Sequence, residues 1–290
     1  MTGDPLSRAL AEAVAGRSAA LYDLLTRGSK LPGTRMNTEL AEAFAQACRS
    51  MGARADATVL AMARLTPDRA PGATALEFLP VCGVYAMAAR AAASDAKGRA
   101  PLVAELHSLA EDLRFRVRDA VVEGLARVGA AAGDALVSEV STWTDGYFHA
   151  AAVVRALGHE AWLSTLHDAQ GVLDRLDEAF TLARDAPRAA ARWPGHKALV
   201  EALGTGPGLV AARFGVPVFD LLVRWSAVQD PALRGAIEQT LRFKSLAGRF
   251  GPEIERVRNA LEASLPPARN PDHDVGPTRN RSKSRKRKYR

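Results

Sequence analysis

Alanine is the feature that most constrains this chain: it occupies 57 of the 290 positions, about one residue in five. Alanine has the highest helix propensity of any residue, and its small side chain lets neighbouring helices lie close together. Aromatic residues, which favour strands together with β-branched ones, make up only 6% of the chain. The composition therefore predicts an all-α fold with no substantial β-sheet.

The predicted helices follow one another with short breaks. The first is expected to run from about Asp4 to Arg27, with Asp4 as the N-cap and Pro5 at the first helical position. A second is expected over about 38–51, where Gly52 ends it. These two segments predict that the chain begins as consecutive amphipathic helices.

Proline and glycine interrupt the helical pattern in two later stretches. Over residues 73–94, Pro80 is expected to kink or split a helix. Over residues 186–215 the helices are predicted to be short, because several breakers lie close together in sequence. These breakers are Pro187, Pro194, Gly195, Gly204, Gly206, Pro207 and Gly215.

A recurring pattern, in which a turn aspartate precedes an amphipathic helix carrying a basic residue, is the strongest repeat signal. It is clearest in DPALRGAIEQTL and recurs in DGYFHAAAVVRAL and EDLRFRVRDAVVEGL. The aspartates are Asp112, Asp145 and Asp230, and the basic residues are Arg118, His149 and Arg234. An aspartate there can cap the helix, and an arginine can reach carbonyl groups of a neighbouring helix. The pattern resembles the second helix of HEAT repeats.

The resemblance to HEAT repeats implies a fold and a domain organisation. It implies an α-α superhelix (solenoid) of stacked antiparallel helix pairs, with a generic helical bundle as the alternative. The helical-repeat domain is predicted over 1–265, with irregular N-terminal helices over 1–99 and HEAT-like repeats over 100–265. A disordered basic tail is predicted over 266–290, which lacks apolar periodicity.

The positive charge of the chain lies at its C-terminal end. The net charge is +7, but the tail segment 279–290 holds eight basic residues and no acid, and the rest holds 31 basic residues against 32 acidic ones. The basic residues are Arg279, Arg281, Lys283, Arg285, Lys286, Arg287, Lys288 and Arg290. Such a string can neutralise phosphates without folding, which predicts binding of DNA, RNA or another polyanion. The alternative is a tail that only confers solubility or directs nuclear import.

Sequence motifs for a cofactor or a metal are absent. No glycine-rich nucleotide loop, serine nucleophile elbow or His-Glu-x-x-His motif occurs. Cys48 and Cys82 lie in apolar helical stretches and are interpreted as core thiols, with no disulfide. His159 with Glu160, and His167 further on, lack an evident third ligand. We therefore expect no cofactor and no bound metal.

Four tryptophans suggest an enzymatic alternative. Trp143 is followed by Asp145, Arg192 is followed by Trp193, and Trp162 and Trp225 lie in the same region. HEAT-like DNA glycosylases hold damaged DNA with tryptophans, an aspartate and an arginine, so the resemblance implies repair of alkylated bases as one alternative. Interhelical packing explains the tryptophans equally well.

The sequence favours a non-catalytic function. We expect a cytoplasmic, HEAT-like scaffold or adaptor that binds a protein partner through its solenoid surface, without contact with a membrane. The N-terminal segment is amphipathic, unlike a signal peptide, and the most apolar stretch, 73–93, contains charged residues and a proline. The basic tail is expected to tether the protein to nucleic acid or another polyanion.

Overall fold

The computed structural model describes residues 4–265, in which helix is the only regular secondary structure and no strand occurs. The α-helices are α1 (Pro5–Val14), α2 (Ala19–Gly28), α3 (Thr38–Met51), α4 (Asp56–Ala63), α5 (Phe78–Ala92), α6 (Ala96–Leu109), α7 (Phe115–Ala132), α8 (Asp134–Glu139), α9 (Tyr147–Leu157), α10 (Glu160–Leu163), α11 (Ala169–Arg184), α12 (Pro194–Phe214), α13 (Val216–Trp225), α14 (Pro231–Thr240), α15 (Lys244–Ala247) and α16 (Gly251–Ala263). The all-α class is therefore confirmed. The predicted tail lies outside the described residues.

The first predicted helix is two helices. Asp4 caps α1 as expected, because its carboxylate accepts a hydrogen bond from the Leu6 N–H at 3.4 Å. The chain then turns at Gly16, which has a φ of +88°, and α2 begins at Ala19. A glycine in this left-handed conformation ends a helix because it has no Cβ to clash with the backbone. The single helix predicted from Asp4 to Arg27 was therefore wrong, whereas α3 and its end at Gly52 agree with expectation.

Pro80 lies in the first turn of α5. The N–H groups of a first turn have no intrahelical partner, so a proline there removes no hydrogen bond and the expected kink or split is not needed. Within the described residues, one stretch, 75–92, is long and apolar enough to cross a membrane, and 78% of it is buried inside the protein. It packs against α3, α4, α6 and α7, so its apolar side chains form the centre of the core.

The prediction of short helices over 186–215 was wrong, because α12 is a single helix of 21 residues. Its glycines face neighbouring helices at close range. A Cβ on Gly206 would lie 2.5 Å from Cγ1 of Val154, and one on Gly204 would lie 2.7 Å from Oε1 of Gln239. These glycines allow close packing against α9 and α14, and the burial gained there offsets their low helix propensity.

Pro207 is tolerated inside α12 because another helix satisfies the carbonyl groups around it. A proline has no N–H for the carbonyl four residues earlier, which here belongs to Leu203. The buried Thr240 hydroxyl of α14 lies 3.4 Å from that carbonyl oxygen and 3.3 Å from the carbonyl oxygen of Gly204, and donates to this pair. Tertiary packing thus replaces the hydrogen bond that the proline removes.

Helices α5, α7, α9, α12 and α14 form a row in which each packs against the next. Contacts between α9 and α12 advance together along both helices, from Phe148 with Gly195 to Val154 with Gly206, so these two helices are parallel. One or two further helices connect consecutive members of the row: α6, then α8, then α10 and α11, then α13. The chain therefore leaves the row and returns to it four times.

The turn aspartates of the repeat pattern behave differently from one another. Asp230 caps α14, since its carboxylate accepts from the N–H groups of Ala232 at 2.8 Å and Leu233 at 3.0 Å. Helices α7 and α9 have no side-chain cap among the described residues, because Asp112 accepts from Arg114 and Asp145 lies against histidines. The capping role expected of all three aspartates is therefore confirmed for Asp230 and wrong for the other two.

Candidate functional site

A groove with a volume of about 370 Å³ runs across α7, α9 and α12. Its floor consists of alanine methyl groups from Ala151 and Ala152 on α9 and from Ala198 and Ala202 on α12. Small side chains at these positions keep the surface concave and apolar. Phe115, about half of whose surface is exposed, adds an aromatic ring at the edge.

Arg118 gives the groove a rigid cationic edge. Its guanidinium lies over the ring of Phe148, 4.4 Å from the ring centroid, and donates to the carbonyl oxygen of Asp112. Burial lowers the pKa of the Arg118 guanidinium, although an arginine keeps its charge at neutral pH. The stacking and the hydrogen bond fix the position of this charge.

The charges that line this groove are balanced. The Arg155 guanidinium donates to Oδ1 of Asp119 at 2.8 Å, and Glu201 lies on the α12 side. Together with Arg118, the described lining residues carry two positive and two negative side chains. This groove is therefore amphipathic and near-neutral, unlike the basic channel that a nucleic-acid backbone requires.

A second groove, of about 320 Å³, lies on the other side of α7. The Arg127 guanidinium lies 5.7 Å from the centroid of the Tyr85 ring and is paired with Glu42. Nε2 of His159 lies 3.4 Å from Glu123. Burial raises the pKa of the Tyr85 hydroxyl to about 12. Helix α7 thus lines both grooves, and each groove carries charges of both signs.

A separate cluster joins α6 to the start of α9. Nε2 of His107 lies 3.0 Å from Oδ1 of Asp145, and Nδ1 of His149 lies 2.9 Å from the same oxygen. The two imidazole rings stack, with centroids 3.7 Å apart, and Trp143 meets His107 edge-on at 5.0 Å. One donor atom from each of these three polar residues lies within 4.8 Å of the others, which is metal-binding spacing.

The polar contacts of this cluster are incomplete. His107 forms a hydrogen bond with Asp145. Nδ1 of His149 lies 2.9 Å from the same oxygen, but neither nitrogen of that ring forms a hydrogen bond of good geometry within residues 4–265. Burial lowers the pKa of His149 most, and the charge of the neighbouring His107 lowers it further. Burial alone would raise the pKa of Asp145, but hydrogen bonding from His107 and the charges of both histidines outweigh it and lower that pKa.

The residues of the glycosylase alternative do not form one exposed set. Trp143, Trp162 and Trp225 are buried, whereas 46% of the surface of Trp193 is exposed. The Trp162 indole packs where a Cβ on Gly129 would lie 2.2 Å away, so it fills a helix contact. Only Trp193 among the four offers an open ring face. The eight basic residues predicted to bind nucleic acid lie outside the described residues.

Sequence reasoning missed the His107–Asp145–His149 cluster. The chain separates His107 from Asp145 by 38 residues, and no local spacing indicates that they meet. Asp145 and His149 belong to the repeat pattern, which predicts a helix cap and a structural contact at these positions and not a pair of ligands. The two histidines that the sequence suggests as metal ligands, His159 and His167, have separate partners in the structure. His159 pairs with Glu123, and His167 lies 3.9 Å from Asp134.

Comparison with known proteins adds no family assignment. The grooves and the histidine cluster must therefore be interpreted from their own chemistry. No protein-family model, no curated protein and no solved structure matches this chain.

Proposed function

We propose that this protein is a non-catalytic, HEAT-like helical scaffold that binds a protein partner in the groove across α7, α9 and α12. The observation that carries the proposal is the chemistry of that groove: an alanine floor, phenylalanine rings at the edge and balanced charges. Apolar floors with charged edges suit the apolar face of an amphipathic helix. The partner segment is therefore an amphipathic helix that bears both acidic and basic residues.

The row of helices supports the solenoid part of the proposal. In a solenoid each repeat contacts its neighbours, and one long curved face stays available to a partner. Helices α5, α7, α9, α12 and α14 pack in that order, with other helices between them in sequence. The groove lies on three consecutive members of this row, as an extended binding face requires.

The edge charges define the polarity of the partner. Asp119 and Arg155 are paired with each other, and nearly half of each side chain is exposed, so a charge on a partner can still approach them. Glu201 favours a basic residue, and Arg118, held over Phe148, favours an acidic one. Such fixed charges select the register of a helix more than they add to its affinity.

The experiment fills the groove and leaves the fold in place. Ala198→Trp places an indole on the half-buried α12 side of the floor, and Ala104→Trp on the exposed face of α6 is the matched control. Partners are first identified by photo-crosslinking from position 115 at the groove edge and are then purified for titration. We expect Ala198→Trp to weaken binding at least tenfold and Ala104→Trp to leave it unchanged. Equal affinities for the two variants would place the partner elsewhere.

The tail is the second part of the proposal. Residues 279–290 tether the scaffold to nucleic acid or another polyanion without sequence preference. On duplex DNA each neutralised phosphate contributes about −0.9 to the slope of log affinity against log salt, so half of the eight charges predict a slope of roughly −3 to −4. Deleting 279–290 should bring the slope close to zero and leave thermal unfolding of the helices unchanged. An unchanged slope would place the nucleic-acid site on the helices.

Base excision, the alternative function, draws less support. Of the four tryptophans, Trp193 alone has a ring exposed enough to hold a damaged base, because the other three are buried. The charges that line the groove across α7, α9 and α12 are balanced. A basic channel would be needed to hold duplex DNA. Release of alkylated bases from duplex DNA, lost in Trp193→Ala, is the result that would favour this alternative over the scaffold.

A further inference from the structure

We propose that His107, Asp145 and His149 form a binding site for a divalent transition-metal ion of the Zn²⁺ class. The proposal does not depend on the scaffold function. The donor atoms of the three side chains lie within 4.8 Å of one another. Tetrahedral zinc with bonds of about 2.0–2.1 Å holds its donors about 3.3 Å apart, so these side chains would have to rotate from their stacked arrangement to bind the ion.

The strongest observation is the unsatisfied imidazole of His149. Only 6% of this residue is exposed, and neither ring nitrogen has a hydrogen-bond partner in the described part of the chain. Buried polar atoms in native proteins almost always have a partner, since an unpaired one destabilises the fold. A metal ion bonded to one of these nitrogens supplies the missing interaction.

Gly146 lets that imidazole and the carboxylate of Glu111 approach its backbone closely, which makes Glu111 a candidate fourth donor. A Cβ on Gly146 would lie 2.6 Å from Nδ1 of His149 and 2.9 Å from Oε1 of Glu111. The space that the glycine leaves open is therefore bordered by a nitrogen and a carboxylate oxygen. Glu111 is exposed, so its side chain can move towards the ion and complete four-coordination.

The donor set selects the type of ion. Two imidazoles with one or two carboxylates suit Zn²⁺ and its neighbours, whereas Mg²⁺ and Ca²⁺ prefer oxygen ligands alone. Trp143 covers the buried side of His107, and the partly exposed Asp145 leaves an entry route for the ion. Because His107 belongs to α6 and His149 to α9, a bound ion would clamp these two helices together.

The test titrates ZnCl₂ into the full chain, without a histidine tag, by calorimetry and follows CoCl₂ by visible absorption. We expect one Zn²⁺ per chain, a thermal midpoint that rises with Zn²⁺ concentration, and the intense visible bands of tetrahedral Co²⁺. His107→Gln and His149→Gln should each weaken Zn²⁺ binding at least tenfold. His159→Gln is the matched control, because it removes an exposed histidine that is likewise paired with a carboxylate, that of Glu123.

Two results would overturn the proposal. One is the absence of saturable Zn²⁺ binding to the folded chain, which would make the cluster a purely structural contact. The other is equal weakening in His107→Gln and His159→Gln, which would indicate nonspecific histidine binding. If His149→Gln fails to fold, His107→Gln and Asp145→Asn decide the outcome, because both change side chains that are partly exposed to solvent.

Discussion

The turn before α9 and the turn before α14 share one sequence pattern and differ in chemistry. Each has an aspartate followed four residues later by a basic side chain, Asp145 with His149 and Asp230 with Arg234. At α14 the aspartate caps the helix, and the arginine donates to the carbonyl oxygens of residues 226, 228 and 261. At α9 the aspartate faces two imidazoles, and the His149 ring lacks hydrogen-bond partners within residues 4–265.

The difference shows how one sequence pattern can place a structural residue at one helix and, in the proposed metal site, a ligand at another. A guanidinium has only donors, and backbone carbonyls of the loop before α14 and the end of α16 satisfy those of Arg234. A neutral imidazole also has a lone pair, so a buried histidine in the same position can bind a metal ion. Replacing arginine by histidine therefore removes a structural contact and creates a potential ligand.

The largest expected effect on stability comes from removing the side chain of Arg234. Arg234→Ala should lower the free energy of unfolding by roughly 1–3 kcal/mol, because several carbonyl groups lose a charged donor. Arg224→Ala is the control, since this arginine is 64% exposed and lies 3.7 Å from Asp177. Urea unfolding of both variants measures the difference. Equal stability would mean that Arg234 does not hold α13, α14 and α16 together.

A smaller effect should separate the two aspartates. Asp230→Ala removes a helix cap and should destabilise the protein by about 1 kcal/mol. Asp145→Ala, measured with a metal chelator present, should cost less than half of that, because Asp145 caps no helix and its side chain is 55% exposed. Chemical denaturation of the two variants in parallel tests this order. The reverse order would show that Asp145 supports the turn before α9 on its own.

The smallest effect concerns the two cysteines, both of which are buried in helices away from the two turns. Burial raises the pKa of the Cys48 thiol to about 12 and that of Cys82 well above its usual value. At pH 8 a pKa of about 12 leaves on the order of one thiolate in ten thousand molecules. A chromogenic disulfide reagent should therefore detect no rapid thiol in native protein and two after unfolding. Rapid labelling of either cysteine in native protein would contradict this burial.

The sequence predicted the features that depend on local interactions. Asp4 and Asp230 cap their helices as expected, because the capping carboxylate and the N–H groups it accepts from are two or three residues apart. Gly52 ends α3 for a similarly local reason, its φ of +66°. Arg234 reaches backbone carbonyls as predicted, but those of Ser226 and Val228 belong to the adjoining loop, whereas that of Leu261 lies in another helix.

The errors arose where another helix decides the outcome. Gly204 and Gly206 were interpreted as helix breakers, but the side chains of Gln239 and Val154 occupy the space that their missing Cβ atoms leave. A glycine that ends a helix and one that admits a neighbour have the same sequence signal. Whether the helix ends or continues at such a glycine depends on the residue that packs against it. Here that residue lies about 35 to 50 positions away along the chain.

By itself, the sequence determined the helical class of this protein, through the propensity of alanine and the caps at individual helix starts. Only the tertiary structure decided that α12 continues through its glycines and proline, and that His107 meets Asp145 and His149. The physical reason is the range of the interactions. Propensity and capping act within one turn of helix, whereas close packing and ligand clusters require segments that are distant along the chain to meet in space.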